Sequence, residues 1–118
     1  MIEVLVSKIF NTRNAVHLAH WKTKSYAQHV ALGDLYDHLI EDIDAVVEMY
    51  QGMFGLIKVD ELPALVAPVD IVKHLAAEVV WITDNQKDIC KGISAISNQV
   101  DNLTGNYMTT LFKLKQLS

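Results

Sequence analysis

Apolar residues recur in steps of three and four through almost the whole chain, and this helical periodicity constrains the fold more than any other feature. The pattern predicts a first helix that runs to about Lys24 and a second from about His29 to Phe54, where glycines mark its end. Asp70 is the predicted N-cap of a third helix, whose inner face is expected to continue to Ile96. Because no segment alternates like a strand, the predicted fold class is all-α.

A fourth helix is predicted after the polar residues 97–99, so the lengths of the three connections can be compared. The first and last are short and join antiparallel neighbours, whereas residues 56–68, which contain Pro63 and Pro68, form a long connection. A link of about 14 residues reaches roughly 45 Å, enough to run along a helix of about 37 Å. We therefore predict a single domain, residues 1–118, folded as a ferritin-like four-helix bundle with one long crossover between helices two and three.

Composition excludes several classes of protein. With one cysteine, Cys90, the chain has neither an internal disulfide framework nor a cysteine-based zinc finger. The net charge of −4 argues against a strongly basic nucleic-acid surface, so no strong nucleic-acid binding is expected. No stretch approaches the 18 or so uncharged apolar residues of a membrane span. The expectation is a soluble, cytoplasmic protein.

Histidines and carboxylates are concentrated in the first half of the chain. Four of the five histidines lie within the first 38 residues, and an acidic stripe follows on the second helix, at Asp37, Glu41, Asp44 and Glu48. The stripe is predicted to run along the edge of the apolar face, where Asp44 and Glu48, one turn apart, could close on one ion. Imidazole with carboxylate suits iron, zinc or manganese. A solvated acidic face explains the same spacing.

His20 lies near the centre of the apolar stripe of the first helix, where an unpaired polar group would be costly to bury. It is either a core histidine bonded to a backbone carbonyl or to a carboxylate of a neighbouring helix, or a metal ligand. His29 could equally be a surface or capping residue. His38, which has an aspartate four residues away on each side, is predicted to form exposed ion pairs, and His74 to lie on the surface.

The pair His20-Trp21, with His29 opening the next helix and Asp44-x-x-x-Glu48 within it, resembles the Dps-type mini-ferritins. The resemblance covers residues 15–52, about a third of the chain. The sequence is also similar to short phage-encoded ferritin-like relatives, through its His-Trp-x-Thr-Lys-Ser-Tyr-Ala-x-His stretch and the Ala-Leu-Gly-x-Leu-Tyr-Asp that follows.

The resemblance implies a ferroxidase centre shared between two subunits. His20 and His29 would come from one subunit, and Asp44 and Glu48 from its two-fold mate. Iron would bind mainly through His20, Asp44 and Glu48, with His29 acting through a second metal or a water. Zinc or manganese could take the place of the iron. The protein would be a homo-oligomer, a dimer at least and a twelve-subunit shell in the full family pattern, for iron storage or protection from peroxide.

Three departures from the family pattern bear on this site. Where the family has an aspartate four residues after the second histidine, this chain has Gly33, with Asp34 one step round the helix as the candidate ligand. The loop between the first two helices is shorter, and the chain is short and has no Lys-rich tail. The alternative function is therefore a non-catalytic ferritin-like bundle, a viral or accessory oligomerisation or interaction protein that has lost the ferroxidase site. A zinc or manganese site that only holds a dimer together is a third possibility.

Overall fold

The computed structural model describes residues 1–62 and 67–117. Within these ranges the chain forms four helices and no strand, namely α1 (Ile2–Lys22), α2 (Tyr26–Phe54), α3 (Ile71–Cys90) and α4 (Ser94–Gln116). The helices pack as a bundle around one apolar core, so the predicted all-α, four-helix fold is confirmed. Among the described residues, none of the helices combines the length and the hydropathy of a membrane-spanning segment.

Side-chain caps set the starts of α2 and α3. Ser25 caps α2 by accepting a hydrogen bond from the backbone N–H of Gln28, so the helix begins at Tyr26, three residues before the start near His29 that periodicity indicates. Asp70 caps α3 as predicted, because its carboxylate accepts from the backbone N–H groups of Val72 and Lys73. Each cap satisfies donors that the first helical turn leaves without partners.

The boundary between α3 and α4 lies earlier than the sequence pattern predicts. The third helix ends at Cys90 because Lys91 and Gly92 adopt positive φ angles of 51° and 80°, which stop a right-handed helix. The fourth begins at Ser94, so the polar residues 97–99 lie inside it and Ile96 belongs to its buried face. The periodicity is correct, but it runs through the turn because Ile93 and Ile96 keep the helical step.

Contacts between helices establish their relative directions. The hydroxyl of Thr12 contacts Glu78, and further back along α1 the Lys8 ammonium lies over the Trp81 ring, so α1 and α3 are antiparallel. Because α1 and α2 are also antiparallel, α2 and α3 run in the same direction. The Lys91 ammonium, just beyond the end of α3, accordingly lies 4.6 Å from the ring centroid of Phe54 at the end of α2.

The connection between α2 and α3 therefore starts and finishes at opposite ends of the bundle. Pro68 and Val69, just before α3, line a cavity with Lys22 and Thr23 from the far end of α1. Pro63 and residues 64–66 lie outside the described residues. The route that the predicted crossover takes along the bundle between these two ends therefore remains a prediction.

Candidate metal centre

His20 and His29 lie face to face where α1 and α2 meet. The turn between the helices is three residues long, so side chains near the end of α1 oppose those at the start of α2. The Nδ1 atom of His20 lies 2.5 Å from the carbonyl oxygen of His29, and Nδ1 of His29 lies 2.8 Å from the carbonyl oxygen of His20. The two rings stack with centroids 3.6 Å apart and an interplanar angle of 18°.

This reciprocal arrangement determines which ring nitrogens are protonated. A backbone carbonyl can only accept a hydrogen bond, so Nδ1 is the donor in both His20 and His29. In the neutral imidazole the other nitrogen, Nε2, then carries the free lone pair. Metal-ligating histidines are commonly fixed in this way, with one ring nitrogen donating to a carbonyl and the other bound to the ion. The pair thus has two Nε2 atoms suited to a cation, and the predicted carbonyl contact of a core His20 is also present.

A cluster of rings extends from this pair along α1. The ring of Tyr36 stacks on His17 at 4.0 Å and meets His20 edge-on at 5.3 Å. His17 also contacts the exposed ring of Trp21, with the ring centroids 4.5 Å apart. The Arg13 guanidinium lies 5.2 Å from the centroid of the Tyr36 ring. The cluster holds one side of the histidine pair in place. The spacing of Tyr36, seven residues after His29, is the sequence signal that places it on the same side of α2.

The charge of His17 depends on this surrounding cluster. Its pKa lies below the ordinary value, first because its half-buried ring is desolvated and then because the positive charge of Arg13 and the neighbouring His20 disfavour protonation. The negative charge of Asp37 favours protonation and raises the pKa of His17, but by less than these effects lower it. The lowered pKa keeps His17 neutral over more of the physiological pH range.

The acidic stripe lies far from the histidines of the same chain. At a rise of about 1.5 Å per residue, Asp44 is about 22 Å along α2 from His29. Both Asp44 and Glu48 are exposed. Among the described residues no group of three or more His, Cys, Asp or Glu side chains could hold a metal ion. A complete site with these ligands would therefore require a second chain.

The stripe also faces a different direction from the one predicted. The buried face of α2 contains Leu32, Leu35, Leu39, Ile43 and Val46, whereas Asp37, Glu41, Asp44 and Glu48 are all exposed. At about 100° per residue the acids are centred roughly 170° from the buried residues. The stripe is opposite the apolar face rather than at its edge. All four carboxylates are open to solvent and to any partner that approaches α2.

Asp34 and Asp42 bracket His38 in sequence but do not pair with it through their carboxylates. Asp34 is exposed, and its backbone oxygen accepts a hydrogen bond from Nδ1 of His38 at 2.6 Å. Asp42 is buried against α4, where Asn102 and Asn106 donate to its two oxygens at 3.1 and 2.6 Å. Burial raises the pKa of Asp42. His38 is exposed as predicted, but the predicted ion pairs are replaced by a backbone contact.

The core contains a buried polar network that the sequence pattern does not predict. Glu78 is 6% exposed, and its Oε1 accepts hydrogen bonds from the hydroxyls of Thr12 at 2.6 Å and Tyr107 at 2.8 Å. Nε2 of His74 lies 3.0 Å from the other oxygen, Oε2. His74 is half-buried, so its predicted surface position was wrong. The sequence does contain one sign of this network, because Glu78 lies three residues after Leu75 and therefore on the apolar face of α3.

Comparisons with known proteins give a family without an assigned activity. The sequence model of DUF5856, a family of unknown function, matches residues 20–114. An uncharacterized 14.6 kDa protein from the mobD-ri intergenic region of Enterobacteria phage T4 is 32% identical over 100 residues, which cover 83% of this chain and 75% of the phage protein. No solved structure matches significantly.

Proposed function

We propose a function from the chain's own residues, because the chain belongs to the DUF5856 family, whose function is unknown. In this proposal it is a Dps-like mini-ferritin that acts in the cytoplasm. It binds Fe²⁺ as a substrate at a site shared by two copies and oxidises it with peroxide or dioxygen, for iron storage or protection from peroxide. The observation that carries the proposal is the reciprocal His20–His29 pair, which leaves the Nε2 atom of both rings available.

The exposed carboxylates support the shared site. Asp44 and Glu48 point away from their own core and are too far from His29 to meet the same ion in one chain. A two-fold axis perpendicular to α2 brings together the α2 helices of two copies in antiparallel directions. A residue on one side of the axis in one copy then lies level with the residue equally far on the other side in the second copy. An axis near Asp37 and His38, about midway between His29 and the two acids, would place the acids of one copy level with the histidines of the other.

The combined ligand set suits the proposed chemistry. Imidazole nitrogens together with carboxylates bind iron, and zinc or manganese can occupy similar sites. The exposed acids would also attract cations to the interface before they are bound. His20, Asp44 and Glu48 would hold the iron that is oxidised, with His29 beside them and Asp34 as a further candidate ligand. The proposal needs a dimer and is compatible with a larger shell of twelve subunits.

Complementation between two inactive variants tests the shared site directly. His20→Ala and Asp44→Ala should each lose peroxide-driven formation of ferric absorbance after anaerobic Fe²⁺ loading. Co-refolding equal amounts of the two variants gives heterodimers in about half of the pairs. Each heterodimer has one site with all its ligands and one site that lacks both His20 and Asp44. The mixture should therefore recover about a quarter of the wild-type sites.

The control is Asp84→Ala, which removes an exposed acid of α3, outside the proposed site and away from the proposed dimer axis. It should retain wild-type oxidation. Sizing by light scattering establishes whether each variant still forms dimers. No recovery in a mixture that contains heterodimers would argue against a shared site. A wild-type dimer that binds no iron would favour the non-catalytic bundle.

A further inference from the structure

Gly33 lies directly against the ring of His20. A Cβ atom built on Gly33 would stand 3.1 Å from Cε1 and 3.3 Å from Nδ1 of that ring. Carbon atoms in ordinary contact are about 3.5–4.0 Å apart. Either the ring or the backbone would have to move to admit even a methyl group at this position.

The ring has little freedom to move. Its Nδ1 is bonded to the carbonyl oxygen of His29, and its face is stacked on the His29 ring at 3.6 Å. The Tyr36 ring makes a T-shaped contact with the His20 ring, with the ring centroids 5.3 Å apart. A displacement away from residue 33 would press the ring against His29 or break the hydrogen bond that fixes its protonation.

The other glycines inside helices are not constrained in this way. A Cβ atom on Gly52 in α2 or on Gly105 in α4 would have no atom within 4 Å beyond its chain neighbours and the backbone of its own helix. Glycine is a poorer helix former than alanine, and neither Gly33 nor Gly52 has a positive φ that would require it. At position 33, therefore, the space taken by the His20 ring is the reason that explains glycine.

We propose that Gly33 is the positioning residue of the histidine pair: its missing side chain leaves the space in which the His20 ring stacks on His29 with both Nε2 atoms open to a cation. The glycine found where the mini-ferritin pattern has an aspartate is then an adaptation of the site rather than a sign of its loss. A carboxylate at residue 33 would occupy the space of the ring, so this end of the site contains imidazole nitrogens instead. The role in metal binding rests on the proposed function, whereas the role in positioning the ring does not.

The first test measures ring protonation without any metal. Long-range ¹H–¹⁵N spectra of the imidazoles, recorded where both rings are neutral, distinguish protonation at Nδ1 from protonation at Nε2. Wild-type protein and the matched control Gly52→Ala should show Nδ1–H for both His20 and His29. In Gly33→Ala, His20 should shift toward the Nε2–H form, with circular dichroism showing that the helices are retained.

The second test measures binding of Co²⁺, a spectroscopic substitute for Fe²⁺, to the dimer. Loss of the groups that orient metal ligands weakens binding by about 10–100-fold, and we expect a loss in this range for Gly33→Ala but not for Gly52→Ala. Unchanged ring protonation in Gly33→Ala, or Nε2–H on His20 in the wild type, would overturn the positioning role. Shifted protonation in Gly33→Ala with no Co²⁺ binding by wild-type protein would uphold positioning and contradict the proposed function.

Discussion

The hydroxyl of Tyr107 donates a hydrogen bond of 2.8 Å to Oε1 of Glu78 in the interior of the bundle. Both side chains are shielded from bulk water, since Tyr107 is 0% and Glu78 6% exposed. Thr12 and His74 contact the same carboxylate. The network therefore joins α1, α3 and α4 through one buried acid whose oxygens both have partners, as a buried carboxylate requires.

Tyr107→Phe should destabilise the protein by about 1.5–3 kcal/mol, because the carboxylate of Glu78 loses a donor that water cannot replace. The change is measured as the free energy of unfolding in urea. Tyr26→Phe is the matched control, since that ring is 81% exposed. It should change stability by no more than about 0.5 kcal/mol. Equal effects of the two substitutions would contradict an energetic role for the buried hydroxyl.

Stability should fall in alkaline solution through the same residue. Burial, followed by the negative charge of Glu78, raises the pKa of Tyr107 well above its ordinary value of 10.0. The native state keeps a proton that the unfolded chain loses, so this stabilisation is complete below pH 10 and is lost as pH rises toward the native pKa. The extra slope is at most about 1.4 kcal/mol per pH unit. Urea unfolding of wild-type and Tyr107→Phe protein should show that slope in the wild type alone.

The pKa of His17 should respond in opposite directions to two nearby substitutions. Arg13→Gln removes a positive charge that disfavours protonation, so the pKa of His17 should rise toward its ordinary value. Asp37→Asn removes a negative charge that favours it, so the pKa should fall further. NMR titration of the His17 ring protons measures both. No shift in either variant would mean that desolvation alone, and not these charges, lowers the pKa of His17.

Metal binding at the proposed shared site should stabilise the dimer. A cation that binds only the folded state, at a free concentration of 100 times its Kd, adds about 2.7 kcal/mol to the free energy of unfolding. Addition of Zn²⁺ should raise the Tm of wild-type protein, and a chelator should reverse the change. Asp44→Ala and His20→Ala should show a smaller increase. An equal increase in all three proteins would indicate that zinc binds elsewhere.

Much of the architecture follows from the sequence because helix formation depends on neighbours three and four residues away. The steps of three and four residues predict four helices, and Asp70 identifies the start of α3 by a cap that involves only the next three residues. A short turn places His20 and His29 on adjacent helices. The boundary near Lys91 was missed because apolar spacing continues through the turn, although Gly92 lies there.

The orientation of side chains between helices was decided only by the tertiary structure. Sequence alone left open whether His20 bonds a carbonyl or binds a metal, whereas packing against His29 and Gly33 gives it the carbonyl contact and leaves Nε2 free. Thr12 and Glu78 are 66 residues apart, and no local pattern reports that they meet. Helical periodicity is a property of short segments, but the partner of a buried polar group depends on which distant atoms fill the space around it.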